Sequence, residues 1–164
     1  MRTLLKKIIT AYYTKKCLKK IKHGKNCKVN YNCKFSENTI IGNNCHFNGI
    51  NISGNGKVSI GNNFHSGKNI RILTTFHNYD EGSAIPYDDT VYSKNIMIED
   101  NVWLGENVMI LGGVTIGEGA VIQAGSVVCR NVPALAIAGG HPAEPFKYRN
   151  KEHYFNLKEE KRFM

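Results

Sequence analysis

The sequence predicts an all-β chain wound as a parallel β-helix, on three observations. From Ile98 the chain reads in sixes as IEDNVW, LGENVM, ILGGVT, IGEGAV, IQAGSV, VCRNVP and ALAIAG. Position one of these hexads holds Ile98, Leu104, Ile110, Ile116, Ile122, Val128 and Ala134, and position five holds Val102, Val108, Val114, Ala120, Ser126, Val132 and Ala138. The same grammar appears earlier and less cleanly, as VNYNCK, FSENTI and IGNNCH from Val29 and as IGNNFH and SGKNIR from Ile60. Self-similarity at a short fixed period is the mark of a coil built from repeats. Finally, an antiparallel sandwich would alternate with period two and turn every 8–12 residues, which this run does not do.

The spacing has a physical reason. Each hexad supplies a short strand and a turn. The aliphatic residue at position one points inward, and a small or branched residue at position five fits the tight corner. Gly or Asn in the turn tolerates positive φ. Three hexads close one triangular turn of about 18 residues, and turns stack through backbone hydrogen bonds. The length of 164 residues fits one domain.

Residues 1–25 are a basic amphipathic segment. They hold nine Lys and Arg and no acid, and the other 13 basic residues match the 13 acids, so the net charge of +9 belongs to this segment. Leu4, Leu5, Ile8, Ile9 and Tyr12 recur at helical spacing. Two readings follow: a short N-terminal helix that caps the coil or packs on a neighbouring subunit, and a helix lying on an anionic membrane. There is no run of 18 apolar residues and no apolar h-region, so the expected location is cytoplasmic, with the inner membrane surface as an option.

Residues 26–146 form the repeat region. Its register slips at 47–59, where a bulge or small excursion is expected. Cys27, Cys33 and Cys45 are spaced by 6 and 12, which is the repeat period, and they fall where the repeat wants small apolar residues. With five cysteines and no CxxC, structural thiols are expected here, with no metal. Residues 74–95 (TTFHNYDEGSAIPYDDTVYSKN) carry no hexad. An excursion this long inside a repeat is functional or disordered, and its aromatics and acids favour function. Gly139, Gly140 and Pro142 end the coil in a turn, and 147–164 read as a C-terminal helix or tail with a packing role.

The FHNYD segment at the start of the extruded loop, the block IEDNVWLGENVMILGGVTIGEGAVIQAGSVV and the AGGHPAEPFK ending resemble the hexapeptide-repeat acyltransferases. The resemblance covers roughly 29–149 and is nearest the sugar and xenobiotic O-acetyltransferase branch. It implies a left-handed coil, a homotrimer with each active site between two subunits, and acetyl-CoA as co-substrate. By this resemblance His77 is the catalytic base, with a pKa class suited to taking a proton near neutrality.

For acetyl-CoA, the resemblance maps Trp103 beside the pantetheine arm, the Glu106 backbone amide near the thioester sulfur, and Ala124 against the pantetheine. Cys129 and Arg130 map near the adenine, with Cys129 replacing a usual hydroxyl, and Lys147 and Arg130 map near the phosphates. Glu144 stands where relatives often carry a basic residue. Asn78, Tyr79, Asp80 and Tyr87 of the loop are the candidate acceptor-binding residues, and Asp80 is also a candidate to orient the imidazole.

The expected acceptor is a sugar hydroxyl in surface-polysaccharide biosynthesis, with a nucleotide-linked amino sugar as the alternative. A nucleic-acid partner is not expected. The competing class is a scaffold coil or a metal-dependent relative, for which His46 and His65 on the sixth position of their hexads are the tempting pair.

Overall fold

The computed structural model describes residues 2–164. Three parallel sheets form the walls of a coil. On the first face Lys22, Ile40, Ser59, Met97 and Thr115 stack in register. On the second face the column is Lys28, His46, His65, Trp103, Val121 and Ile137. On the third it is Lys34, Asn51, Arg71, Met109 and Val127. Six parallel strands on the second face mark about six turns. Each strand is short because the chain must turn a corner every six residues.

The hexad grammar explains the interior. Ile98, Leu104, Ile110, Ile116, Ile122 and Val128 are wholly buried, as are the corner residues Val102, Val108, Val114, Ala120 and Ser126. In the earlier turns Phe47, Phe64, Ile52, Ile70 and Ile72 take the same places. A buried side chain of this size stabilises by roughly 1.5–3 kcal/mol. Cys27, Cys33 and Cys45 are buried free thiols inside this column.

Asparagine builds one corner. Asn26, Asn44, Asn63 and Asn101 all have φ between +55° and +62°. Their amides form a ladder from turn to turn, with bonds of 3.1, 3.1 and 2.8 Å, each Nδ2 donating to the next Oδ1. The ladder ends where Asn101 donates to the Tyr154 hydroxyl at 2.8 Å.

The period breaks in three places. Between His46 and Asn51 the step is five residues, and from Asn51 to Ser59 it is eight. The irregularity at 47–59 is thus one tightened corner and one loosened corner, with Gly49 and Gly54 at positive φ. From Arg71 to Met97 the step is 26 residues, which is the loop excursion.

The third break corrects the sequence reading. Val132, not Ala134, bridges to Ile116, and Ala138 pairs with Ile122. Ala134 is exposed while Ala136 and Ala138 are buried. The seventh hexad is therefore not in frame. The turn after Val128 is cut by two residues, and Leu135 at φ +61° re-enters the wall behind Pro133, which has no N–H to donate.

Both ends are covered. Helix α1 (Arg2–Leu18) lays Thr10, Tyr13, Thr14, Cys17 and Leu18 on the first turn. Thr10 Oγ1 donates to Asn30 Oδ1 at 2.9 Å, and Thr14 Oγ1 accepts from Val29 N at 2.9 Å. At the other end Ala136–Gly140 turns back as the antiparallel strand Ala143–Tyr148. Helix α2 (Lys151–Glu159) follows, N-capped by Asn150, whose side chain accepts from His153 N. Lys158 Nζ pairs with Glu118 at 2.5 Å, which ties α2 to the coil. Among the described residues no helix is long and apolar enough to cross a membrane.

Candidate active site

The excursion at 74–95 is anchored by Thr74, which is fully buried. Its Oγ1 donates to the Ser53 carbonyl at 3.0 Å and accepts from Gly56 N at 3.1 Å, and its carbonyl accepts from Lys94 N at 2.8 Å. From this anchor the chain leaves the coil as an antiparallel ribbon, Thr75–His77 against Val91–Ser93. The stretch expected to lack regular structure thus has a two-stranded base. Phe76 packs beside Tyr92, with ring centroids 5.5 Å apart, and Lys94 Nζ lies 5.0 Å over the Phe76 ring. Alternation along the ribbon accounts for the result: Phe76 faces cover, and His77 faces out.

Beyond the ribbon, side-chain oxygens hold the tip. Asp88 accepts from Ser83 N at 3.0 Å and from Thr90 N at 2.9 Å. These backbone N–H groups hold the Asp88 carboxyl below the usual carboxylate range. Asn78 N donates to the Thr90 carbonyl, and Asn78 Oδ1 accepts from Glu81 N.

His77 ends the first ribbon strand and is exposed. Its ring stacks on Tyr87, with centroids 4.1 Å apart and planes 18° from parallel. A cleft of about 290 Å³ opens beside it, lined by Phe76, His77, Asn78, Tyr79, Asp80, Glu81 and Tyr92. The structure therefore gathers His77, Asn78, Tyr79 and Asp80 around one opening and lays Tyr87 on the imidazole. Asp80 makes no hydrogen bond to His77 among the described residues. The group in contact with the imidazole ring is Tyr87.

The residues expected to hold acetyl-CoA lie elsewhere on the chain. Trp103 stands on the second face between His65 and Val121 and is 53% exposed. Glu106 and Ala124 sit on the corner between the second and third faces, in successive turns. A Cβ on Gly105 would come within 2.5 Å of Ala124 N, so the turns approach closely there. Gly125, at φ +75°, has nothing within 4 Å of where its Cβ would be. The backbone at this corner is therefore bare on its outer side. Cys129 and Arg130 follow the third face, both exposed. Arg130 reaches Glu144 at 3.6 Å across the surface. Lys147, on the returning strand, is exposed opposite Ile137.

His77 thus lies one edge away from Glu106 and Ala124, separated from them by the width of the third face, while Cys129 and Arg130 lie on the edge that carries the loop, in a later turn. The cleft beside His77 includes none of Trp103, Glu106, Ala124, Cys129, Arg130 and Lys147.

Trp103 lines a cavity of about 580 Å³ between the second face and α2, together with His65, Arg149, Tyr154 and Lys158. The sequence reading named His65 only, with His46, in its competing metal-dependent class, and passed over Arg149, Tyr154 and Lys158. His65 lies one turn before Trp103 in the same column, but the inserted loop puts 38 residues between them and hides the register. Its Nε2 is buried with no hydrogen-bond partner among the described residues, and its ring packs on His46 at 4.5 Å. Burial and then the neighbouring His65 push His46 below the ordinary imidazole range. Burial and then the Glu118 hydrogen bond raise Tyr154 to about 12. Among the described residues no group of three His, Cys, Asp or Glu is placed to hold a metal.

Comparison with known proteins bears on this arrangement. Residues 95–130 match the model for the bacterial transferase hexapeptide, six repeats. A hexapeptide-repeat-containing acetyltransferase from Vibrio cholerae is 30% identical, over 82% of this chain and 77% of that one, at a TM-score of 0.71. The same enzyme has been solved in complex with acetyl coenzyme A. A galactoside acetyltransferase in complex with coenzyme A is 30% identical, over 84% of this chain and 70% of that one, at a TM-score of 0.71. A maltose O-acetyltransferase from Clostridium difficile is 32% identical, over 81% and 68%, at a TM-score of 0.54. No curated protein sequence matches the chain significantly.

Proposed function

The chain belongs to the hexapeptide-repeat acetyltransferases, and from that premise we propose that it transfers the acetyl group of acetyl-CoA to a sugar hydroxyl, with His77 as general base. The observation that carries the reading is the exposed His77 at the end of the ribbon, beside an open cleft, on an otherwise regular coil.

His77 takes the hydroxyl proton as the acceptor oxygen bonds to the thioester carbonyl carbon. It returns that proton to the thiolate as the carbon–sulfur bond breaks. Base catalysis of this kind supplies roughly 10²–10⁴ in rate, and holding both substrates in line supplies much of the rest. The Glu106 backbone N–H points the acetyl end, Trp103 and Ala124 bracket the pantetheine arm, and Cys129, Arg130 and Lys147 receive the nucleotide. Arg130 does this at the expense of its surface pairing with Glu144, an exposed contact of small worth. Asn78, Tyr79 and Asp80 receive the acceptor in the cleft, and Tyr87 keeps the imidazole in place. The expected pathway is surface-polysaccharide biosynthesis in the cytoplasm.

The working form in this reading is a homotrimer. His77 and the Glu106–Ala124 corner lie on different edges of one chain, and in this reading a threefold arrangement of parallel coils sets one copy's ribbon against the next copy's corner. N-acetylation of a nucleotide-linked amino sugar is a second reading. Asp80 and Glu81 line the His77 cleft and offer carboxylates to an ammonium.

The test is thiol release from acetyl-CoA with hydroxyl sugars and amino sugars, free and nucleotide-linked. The reading expects turnover with a hydroxyl sugar and its loss in His77→Ala with assembly intact. Unchanged turnover in His77→Ala, with the product verified, would overturn it.

A further inference from the structure

Helix α1 has two faces, and the coil uses one. At 100° per residue, Thr10, Tyr13, Thr14, Cys17 and Leu18 fall on one side. Those are the residues that meet the first turn. The opposite side carries Leu4, Leu5, Ile8, Ile9 and Tyr12, exposed by 65, 59, 58, 40 and 59%. A cap needs the first side and has no use for the second. Large exposed apolar residues gathered on one stripe are uncommon in soluble proteins and mark a contact surface.

The charge around the stripe identifies the contact. Lys15, Lys16 and Lys19 continue the free side toward the coil, Lys20 follows them, and Lys6 and Lys7 lie on the other side of the helix, all exposed. No acid occurs in residues 1–25. Lys16 Nζ lies 5.7 Å from the Tyr12 ring centre, at the junction of apolar stripe and basic collar. A second copy of this chain is a poor complement. Its own α1 carries the same charge, and its other basic and acidic residues balance. An anionic lipid surface meets both demands, taking the apolar stripe into the headgroup boundary and pairing the lysines with phosphates.

We propose that the free face of α1 docks this protein peripherally on an anionic lipid bilayer, independently of acetyl transfer. The helix lies in the interface: its 17 residues include four lysines, and it does not cross.

The test is co-sedimentation of the full chain with phosphatidylcholine vesicles, alone or mixed with phosphatidylglycerol, at low and high salt. Binding to the mixed vesicles, weakened by salt and absent on phosphatidylcholine alone, is expected. Neutralising Lys15, Lys16 and Lys19 to Gln should lower the partition roughly a hundredfold, about fivefold per lysine. Leu5→Glu with Ile8→Glu should abolish it, and both variants should keep the parent's melting temperature, since these side chains are exposed. Absent or equal binding on the two vesicle types would overturn the proposal. So would a change of oligomeric state in the Leu5→Glu, Ile8→Glu variant, which would make the stripe a subunit contact.

Discussion

The wall at 96–128 and the ribbon at 74–95 share one chain and obey opposite rules. In the wall every sixth residue is wholly buried, and strand N–H groups such as those of Met97, Trp103 and Met109 donate to carbonyls one turn on. In the ribbon most residues beyond Thr75 are exposed, and the tip is held by the oxygens of Asp88 and Asn78. The wall spends its side chains on packing, so it offers a ligand little but backbone and an outward Trp103. The ribbon spends few on packing and is free to present His77. Chemistry concentrates where the repeat stops, as is usual for loops set on a rigid scaffold.

Four measurements separate the two regions, taken from the largest expected effect. Replacing His77 by Ala should cut turnover by roughly 10²–10⁴ with the melting temperature unchanged. A loss of stability instead would show that the ribbon packs more than its exposure implies. Ile110→Ala in the wall should do the reverse, costing about 2–5 kcal/mol of unfolding free energy in denaturant titration. Asp88→Ala should lower turnover about fivefold to tenfold, the net worth of one ordinary hydrogen bond. Because it frees only the tip, thermal melting should scarcely move. If melting falls as far as in Ile110→Ala, the two regions are one cooperative unit.

The smallest effect is on pH. Burial and His65 hold His46 below its ordinary value of 6.5 in the folded state. As pH falls through about 6.5 the unfolded chain binds the proton first, so stability drops with acid until the folded His46 also titrates. Melting temperature should therefore fall as the pH drops below about 6.5, and His46→Gln should flatten that fall. A steeper fall in the variant would assign the effect to another group.

The wall was the easier part to read. Ile98 to Val128 repeat every six residues, and inward and outward positions follow from that period alone. The frame failed at Ala134 because no local signal records that the turn after Val128 is two residues short. The slip at 47–59 was visible as a disturbance, but its content, one tight corner and one loose one, needed the partner turns on either side. At the site, His77 was legible because it opens the interruption and sits in a segment shared with a family. Its stacking on Tyr87 was not, since nine residues of irregular backbone separate the two.

The period settles the fold because an inward aliphatic every six residues has few ways to be buried other than a three-sided coil. It also locates the break, since a stretch without that pattern cannot enter the wall. Relations between turns belong to the tertiary structure: His65 beneath Trp103, α2 closing their cavity, and His77 held one edge away from the Glu106 and Ala124 corner. They depend on vertical stacking across 16 to 38 residues, where inserted residues change the count without marking the chain. The same holds for α1. Its helical spacing is plain in the chain, but docking on the first turn decides that Thr10 to Leu18 face the coil and Leu4 to Tyr12 are left free.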